Sequence, residues 1–378
     1  MARYIFQHLV VPLTALFLLI ASLALPHYDW DLAGHLGSAF AWHYSEPSEI
    51  HSATYNALSA SVKPVALDKI LTGNDDRKIW ASDADAFMQV LPFYQPRVLL
   101  TVPTSIAISL GIDPVRFIQL YTSISVALGM LLFGMLFLPY LSRSAILALP
   151  IVALLTGTLE TARFEGADAI AFGLFGWFAF SFANKSKLCL FPLLLLPMAR
   201  SDMALLVFCF LPLLKFQIRI SWLHIATCAL AVLIAYFFVS HYFGNYGWAM
   251  QFYVVHVNYL ARPAEADIQI TFSVYLNSLL KGLALLIYNK SFLFFVFSCF
   301  FIVGNFYNNL MIKFPSNIYE FMQEKSNALY CLCFVSILFV IGHFLIFPLA
   351  HTRYFSAQYL CVGLMLLYIY SNIRDLRR

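Results

Sequence analysis

Residues 5–25 read IFQHLVVPLTALFLLIASLAL, and the chain then turns through Pro26 into His27-Tyr28-Asp29-Trp30-Asp31. The apolar stretch is 21 residues long. At about 1.5 Å per residue a helix of that length matches the roughly 30 Å hydrocarbon thickness of a bilayer. It is too long for a cleaved leader and lacks a small-residue cleavage site, so it reads as a signal anchor. Two aspartates at its exit stand where water meets lipid headgroups. They need not be buried there, yet they remain close enough to act on a lipid-borne substrate.

Composition agrees with this opening. Of the 378 residues, 61% are hydrophobic and only 11% charged, and the mean hydropathy is +0.78. Soluble domains carry about 25% charged residues, so the chain reads as a polytopic membrane protein. The net charge of +4 is scattered through short loops and implies no nucleic-acid partner. All seven cysteines, Cys189, Cys209, Cys228, Cys299, Cys331, Cys333 and Cys361, fall in apolar runs and read as small buried hydrophobes. Cys331-Leu332-Cys333 has no convincing metal-ligand spacing.

After a mostly polar segment at 26–97, apolar runs follow at 98–112, 116–141, 144–158, 168–183, 188–199, 203–216, 222–243, 286–306, 327–349 and 354–371. The expected fold is all-α: one transmembrane bundle over 1–378 with about 10–11 membrane segments. Some segments are short or re-entrant. The long first loop, 26–97, should be external and carry amphipathic helices, and 244–285 forms a second external segment. Runs too short to cross a bilayer imply a cavity cut into the membrane, because irregular backbone survives there only against protein or water.

The positive-inside bias gives the orientation. Arg3 puts the N-terminus inside, as do Arg374, Arg377 and Arg378 for the C-terminus. Lys185, Lys187, Lys215 and Arg219 also read as inside. The 26–97 loop, with nine acids and five bases, is compatible with outside, and so is His351-Thr352-Arg353-Tyr354. Lys313 and Lys325 are inside provided that 270–285, with Lys281, lies flat on the surface. The parity fails over 98–158 unless one segment is re-entrant or Arg143 lies outside.

Several polar clusters then collect at the external side. Asp31 and His35 are four apart and share a helix face. Asp31 could act as a general base or hold a metal, with His35 beside it; equally, Asp29 or Asp31 could cap a surface helix. His51 and Tyr55 share a face. Asn74-Asp75-Asp76-Arg77-Lys78 reads as a solvated turn, and Asp83 with Asp85 as a helix start. The four loop histidines lack the spacing of a zinc site.

Arg97 and Arg353 with His351 offer charges that fit a phosphate, or else simple interfacial anchoring. Arg163 is expected to pair with Glu160 or Asp168. Arg200 and Asp202 break a 27-residue apolar stretch, which marks a polar interior or an interhelical pair. Tyr354 and Trp248 place aromatic rings beside polar groups, as a sugar face or a headgroup belt would.

Taken in order, these features resemble the GT-C superfamily of integral-membrane glycosyltransferases. The first helix is followed by an acidic motif that opens a long external loop, with Asp31, His35 and Ala39 in the superfamily's spacing. The loop closes on Tyr94-Gln95-Pro96-Arg97-Val98-Leu99. Ala162-Arg163 with Asp168-Ala169, Ala199-Arg200-Ser201-Asp202 and Arg353-Tyr354-Phe355 are similar to later motifs of related bacterial membrane proteins of unassigned function. The sequence departs from the pattern where Leu32 replaces a Glu, with Asp29 upstream instead, and where Pro96 precedes rather than follows the arginine.

The resemblance implies transfer of a sugar from a polyprenyl-phosphate donor to a glycan, lipid or protein acceptor at the outer face of a membrane, the bacterial inner membrane being the expected location. Asp31 would be the base, with Asp29 or His35 orienting. Arg353, Arg200, Arg97 and His351 would bind the donor phosphate. Asp202, Arg163, Asp168, Tyr354 and Trp248 would orient substrate. No cofactor is implied beyond a divalent cation that the carboxylates could hold. Two rival readings share the lipid-linked substrate: a transporter or flippase, and a polysaccharide polymerase or ligase.

Overall fold

Helix α1 (Ala2–Ala24) delivers the opening apolar stretch to the end of the molecule where the functional candidates gather. The computed structural model describes residues 2–312, 324–349 and 351–375, with side chains for 8–307, 324–349 and 351–373. Every regular element among the described residues is helical, and a lone parallel bridge joins His27 to Phe164. Arg3, Lys313, Arg374, Arg377 and Arg378, used above for orientation, lie outside the residues whose side chains are described.

The long first loop folds into short helices: α2 (Asp31–Phe40), α3 (Pro47–Ser61), α4 (Pro64–Thr72), α5 (Asp75–Ser82) and α6 (Ala84–Met88). They close on a small core in which Trp30 packs 4.3 Å from Trp80, beside Phe87, Leu58 and Ile70. Asp83 caps α6 by accepting from Ala86 N, as expected, and the rings of His51 and Tyr55 lie 4.5 Å apart. The expected turn at 74–78 is instead the first turn of α5. Asn74 caps it by accepting from Arg77 N, which satisfies a free helix-end N–H.

The remaining helices are α7 (Val98–Ser109), α8 (Pro114–Phe137), α9 (Arg143–Leu147), α10 (Leu149–Leu155), α11 (Thr158–Arg163), α12 (Ala167–Ala183), α13 (Leu190–Ala199), α14 (Met203–Gln217) and α15 (Trp222–Tyr242). After them come α16 (Gly247–His256), α17 (Phe272–Ile287), α18 (Lys290–Ile312), α19 (Lys325–Ile346) and α20 (Ser356–Asp375). Among the described residues, five stretches are long and apolar enough to cross a membrane: Pro114–Tyr140, Trp222–Tyr242, Lys290–Tyr307, Lys325–Ile346 and Ser356–Ile373. Helices α8 and α12 pack through Phe133, Phe172 and Phe175, all fully buried.

Two departures explain the parity problem. Helix α7 does not run to the far end of the bundle. Arg97 at its start contacts His35, and Ser105 near its end contacts His43. Asp113 just beyond accepts a hydrogen bond from Ser61, so both ends stay with the first loop. The 144–158 run is not one helix either. Ser142 N, at the far end, donates to Ser371 Oγ. From there α9, α10 and α11 climb in three short pieces to Arg163, which donates to Leu25 O at the site end. Pro150 in the first turn of α10 lacks the N–H that continuity requires, and Gly157 has φ +74°.

The 244–285 segment lies over the first loop. Asn245 donates to Pro92 O, Tyr246 to Gln89 O, and Trp80 to Ala261 O. Helix α17 stays at the site end: Tyr275 donates to Leu345 O, and Asn289 just past its last turn donates to Thr352 Oγ1.

Gly157 bears on the site through Thr352. A Cβ at Gly157 would sit 2.1 Å from Thr352 Cγ2, next to Arg353. Gly157→Ala is expected to destabilise the fold by about 1–3 kcal/mol through overpacking and left-handed strain. The thermal midpoint in detergent, compared with a Gly304→Ala control at an open position, checks this.

Candidate functional site

Asp31 is the first residue of α2 and Arg353 the middle of the turn Thr352–Tyr354 before α20. Arg353 Nη2 lies 2.5 Å from Asp31 Oδ2, and its Nε lies 3.4 Å from Asp168 Oδ2 at the start of α12. Asp168 Oδ1 in turn takes Arg200 Nη1 at 2.8 Å. Arg200 grips Asp202 through Nε at 3.1 Å and Nη2 at 2.5 Å, and Asp202 Oδ2 accepts from His343 Nε2 of α19 at 2.9 Å. The result is a ladder of alternating carboxylate and guanidinium, Asp31, Arg353, Asp168, Arg200 and Asp202, that ends on the His343 imidazole. It joins four regions far apart in sequence, at residue 31, residue 168, residues 200–202 and residues 343–353.

The ladder exists because both guanidiniums are nearly buried, with side chains only 6% (Arg200) and 9% (Arg353) exposed. A buried charge survives only when paired and hydrogen-bonded. Aromatic faces complete the enclosure. Tyr354 lies under Arg200 at 4.5 Å and beside Arg353 at 5.2 Å, while Phe164 covers Arg353 at 4.4 Å. Among these groups is a void of about 10 Å³ lined by Asp168, Arg200, Arg353, Tyr354, Ser356 and Gln358, room for about one water.

At the mouth, Asp31 Oδ1 accepts the Tyr94 hydroxyl at 2.8 Å. The Tyr94 ring occupies the space a side chain on Gly34 would need, 2.6 Å from a Cβ built there. Arg97 stacks 4.8 Å over that ring and places Nη1 3.2 Å from His35 Nε2. Since a guanidinium only donates, His35 Nε2 is the acceptor and the ring proton sits on Nδ1, which is buried without a partner. Burial and then the Arg97 charge push the His35 pKa well down, so His35 is a neutral donor rather than a base. Burial pushes the Asp31 carboxyl up, but Arg353, Arg97 and the Tyr94 hydrogen bond outweigh it and hold it well below the carboxylate range.

The other expected site residues lie apart from the ladder. Asp29 pairs with Arg77 Nη2 at 3.1 Å and accepts from Trp30 N at 2.7 Å, so it organises the first loop. Arg163 does not pair with Glu160 or Asp168; its Nε donates to Leu25 O at 2.5 Å, which closes the exposed end of α1. His351 is exposed, with its ring 6.1 Å from that of Tyr354. Trp248 donates to Ile346 O and borders a separate cleft of about 460 Å³, lined also by Ile268, Ile270, Phe272 and Tyr275.

Three residues of the site were not among the sequence candidates for it. Tyr94 orients Asp31, Phe164 covers Arg353, and His343 ends the ladder with a buried, unpartnered Nδ1. A polar residue inside the apolar run 327–349 was the one signal for His343. Among the described residues no group of three or more His, Cys, Asp or Glu side chains is placed to hold a metal ion, and Asp31, Asp168 and Asp202 each meet a guanidinium. In comparisons with protein-family models, curated proteins and solved structures, nothing matches the chain.

Glu165, between Phe164 and the start of α12, is 2% exposed and both of its carboxyl oxygens lack a partner. Burial raises its pKa from 4.5 to about 8, so it is a neutral acid at pH 7. A raised folded-state pKa gives stability that is fully present below about 4.5 and lost as pH rises through about 8. Glu165→Gln is therefore expected to flatten the fall in thermal midpoint between pH 5 and about 8.5, leaving the variant the more stable protein at the alkaline end. An unchanged slope would mean that Glu165 is ionised or solvated in the folded protein.

Proposed function

We propose that this chain is a membrane glycosyltransferase that moves one sugar from a polyprenyl-phosphate donor to an acceptor hydroxyl at the outer face. The observation that carries the reading is a carboxylate, Asp31, at the partly open end of a buried guanidinium ladder. A base and an anion site are thus in direct contact beside membrane-length helices. The ladder end is assigned to the outer face, consistent with Lys185, Lys187, Lys215 and Arg219 at the opposite end. The bacterial inner membrane is the expected setting.

In the proposed reaction the donor phosphate lies against Arg353, with Arg200 behind it and Arg97 at the rim. The acceptor O–H gives its proton to Asp31 as its oxygen forms the new bond to the anomeric carbon. The bond from that carbon to the phosphate oxygen breaks, and polyprenyl phosphate leaves with the electron pair. Arg353 stabilises the charge gathering on the departing oxygen, and the sugar inverts at the anomeric carbon. Asp168 and Asp202 hold the arginines in place. His35, fully buried behind Asp31, holds Arg97 at the rim through Nε2.

A transporter reading also uses buried arginines, but the position of Asp31 against Arg353 at the mouth favours chemistry. The test is purified protein in lipid nanodiscs with a panel of radiolabelled polyprenyl-phosphate sugars. Wild type is expected to release polyprenyl phosphate from one donor, and Asp31→Asn to bind that donor while losing about 10²–10⁴ in turnover. Full turnover by Asp31→Asn would remove the base. Donor binding without turnover in either protein would replace transfer with transport.

A further inference from the structure

Asp31 is not free to act as a base in the arrangement just described. Its Oδ2 is 2.5 Å from Arg353 Nη2, and its Oδ1 accepts the Tyr94 hydroxyl at 2.8 Å. A carboxylate so engaged is a poor proton acceptor, because accepting one gives up a charge-assisted hydrogen bond.

Arg353, by contrast, keeps its place without Asp31. Asp168 meets its Nε, Phe164 and Tyr354 flank its plane, and the Tyr354 hydroxyl lies 3.4 Å from Nη2. Its Nη1 is buried and has no partner. The Nη1–Nη2 edge of this guanidinium is therefore only half used. Two N–H groups on such an edge match two phosphate oxygens.

Charge makes the exchange necessary. Arg97, Arg200 and Arg353 are balanced by Asp31, Asp168 and Asp202, so the cluster has no surplus positive charge for an anion. A phosphate must displace a carboxylate. Asp168 bridges two arginines, and Asp202 is held twice by Arg200 and again by His343. Asp31 has a single guanidinium contact, so it is the carboxylate that can leave.

We propose that the donor phosphate takes Arg353 from Asp31, so that donor binding itself releases the base. The identity of the anion rests on the glycosyl-transfer reading above. Without donor, Asp31 stays locked and deprotonates neither acceptor nor water. With donor, the freed carboxylate receives the acceptor proton, and no further reactant is needed. The order of binding is fixed: donor first, reaction with acceptor second.

The test is binding of a polyprenyl phosphate without sugar to the full-length protein in nanodiscs. Asp31→Asn removes the competitor for Arg353 and is expected to bind about tenfold or more tightly than wild type. Equal or weaker binding by a folded Asp31→Asn overturns the proposal and leaves the transferase reading standing. No binding by wild type overturns that reading itself, and this proposal with it.

Wild type supplies a second measurement that needs no variant. Infrared difference spectra on protein labelled with ¹³C-aspartate should show a carboxylate band shifting as polyprenyl phosphate is added. Saturated binding with an unchanged aspartate spectrum overturns the proposal.

Discussion

The contact between Arg353 and its two carboxylates, Asp31 and Asp168, is the constraint on which the site end depends. Breaking a buried pair by removing one partner typically costs about 3–5 kcal/mol, because it strands a charge. The guanidinium therefore fixes where α2, α12 and the turn before α20 must meet. Arg200 repeats the same logic with Asp168 and Asp202, bringing in the joint between α13 and α14. The five elements are thus registered against one another by charge at one end, while apolar packing such as that of Phe133, Phe172 and Phe175 holds the bundle along its length.

The proposed function rests on the asymmetry of this ladder. Asp168 and Asp202 each hold two or more contacts, whereas the Asp31 rung is a single guanidinium contact. A fully paired network serves architecture, and a network ending in an exchangeable contact can also serve binding. Tyr94 joins the two roles. Its ring fills the space left by Gly34, its face carries Arg97, and its hydroxyl sets Asp31. The 460 Å³ cleft beside Trp248 and Phe272 lies on the same end and is apolar in its lining, next to helices whose outer faces are apolar as well.

Much of this was legible in the sequence, and the reasons differ by residue. Helical class and most segment positions follow from long apolar runs, whose period and length leave little choice. Arg200, Asp202 and Arg353 stand out because ionisable groups interrupt those runs. The pairings were not legible: no local rule brings residue 31 to residue 353, or sets Asp168 between two arginines. Arg163 and Asp29 look as functional in sequence as Asp31 does, yet one closes the end of α1 and the other ties down α5. The broken passage over 143–163 was hidden because Pro150 and Gly157 interrupt the helix without interrupting its hydrophobicity.

The most direct measurement is a cryo-electron-microscopy structure of the protein in nanodiscs with a polyprenyl-phosphate sugar, at a resolution that places side chains. The account predicts the phosphate on the Nη1–Nη2 edge of Arg353, Asp31 turned from Arg353 toward the anomeric carbon, and Asp168 and Asp202 unmoved. Lipid phosphate bound away from Arg353, with the Asp31–Arg353 contact intact, would contradict it.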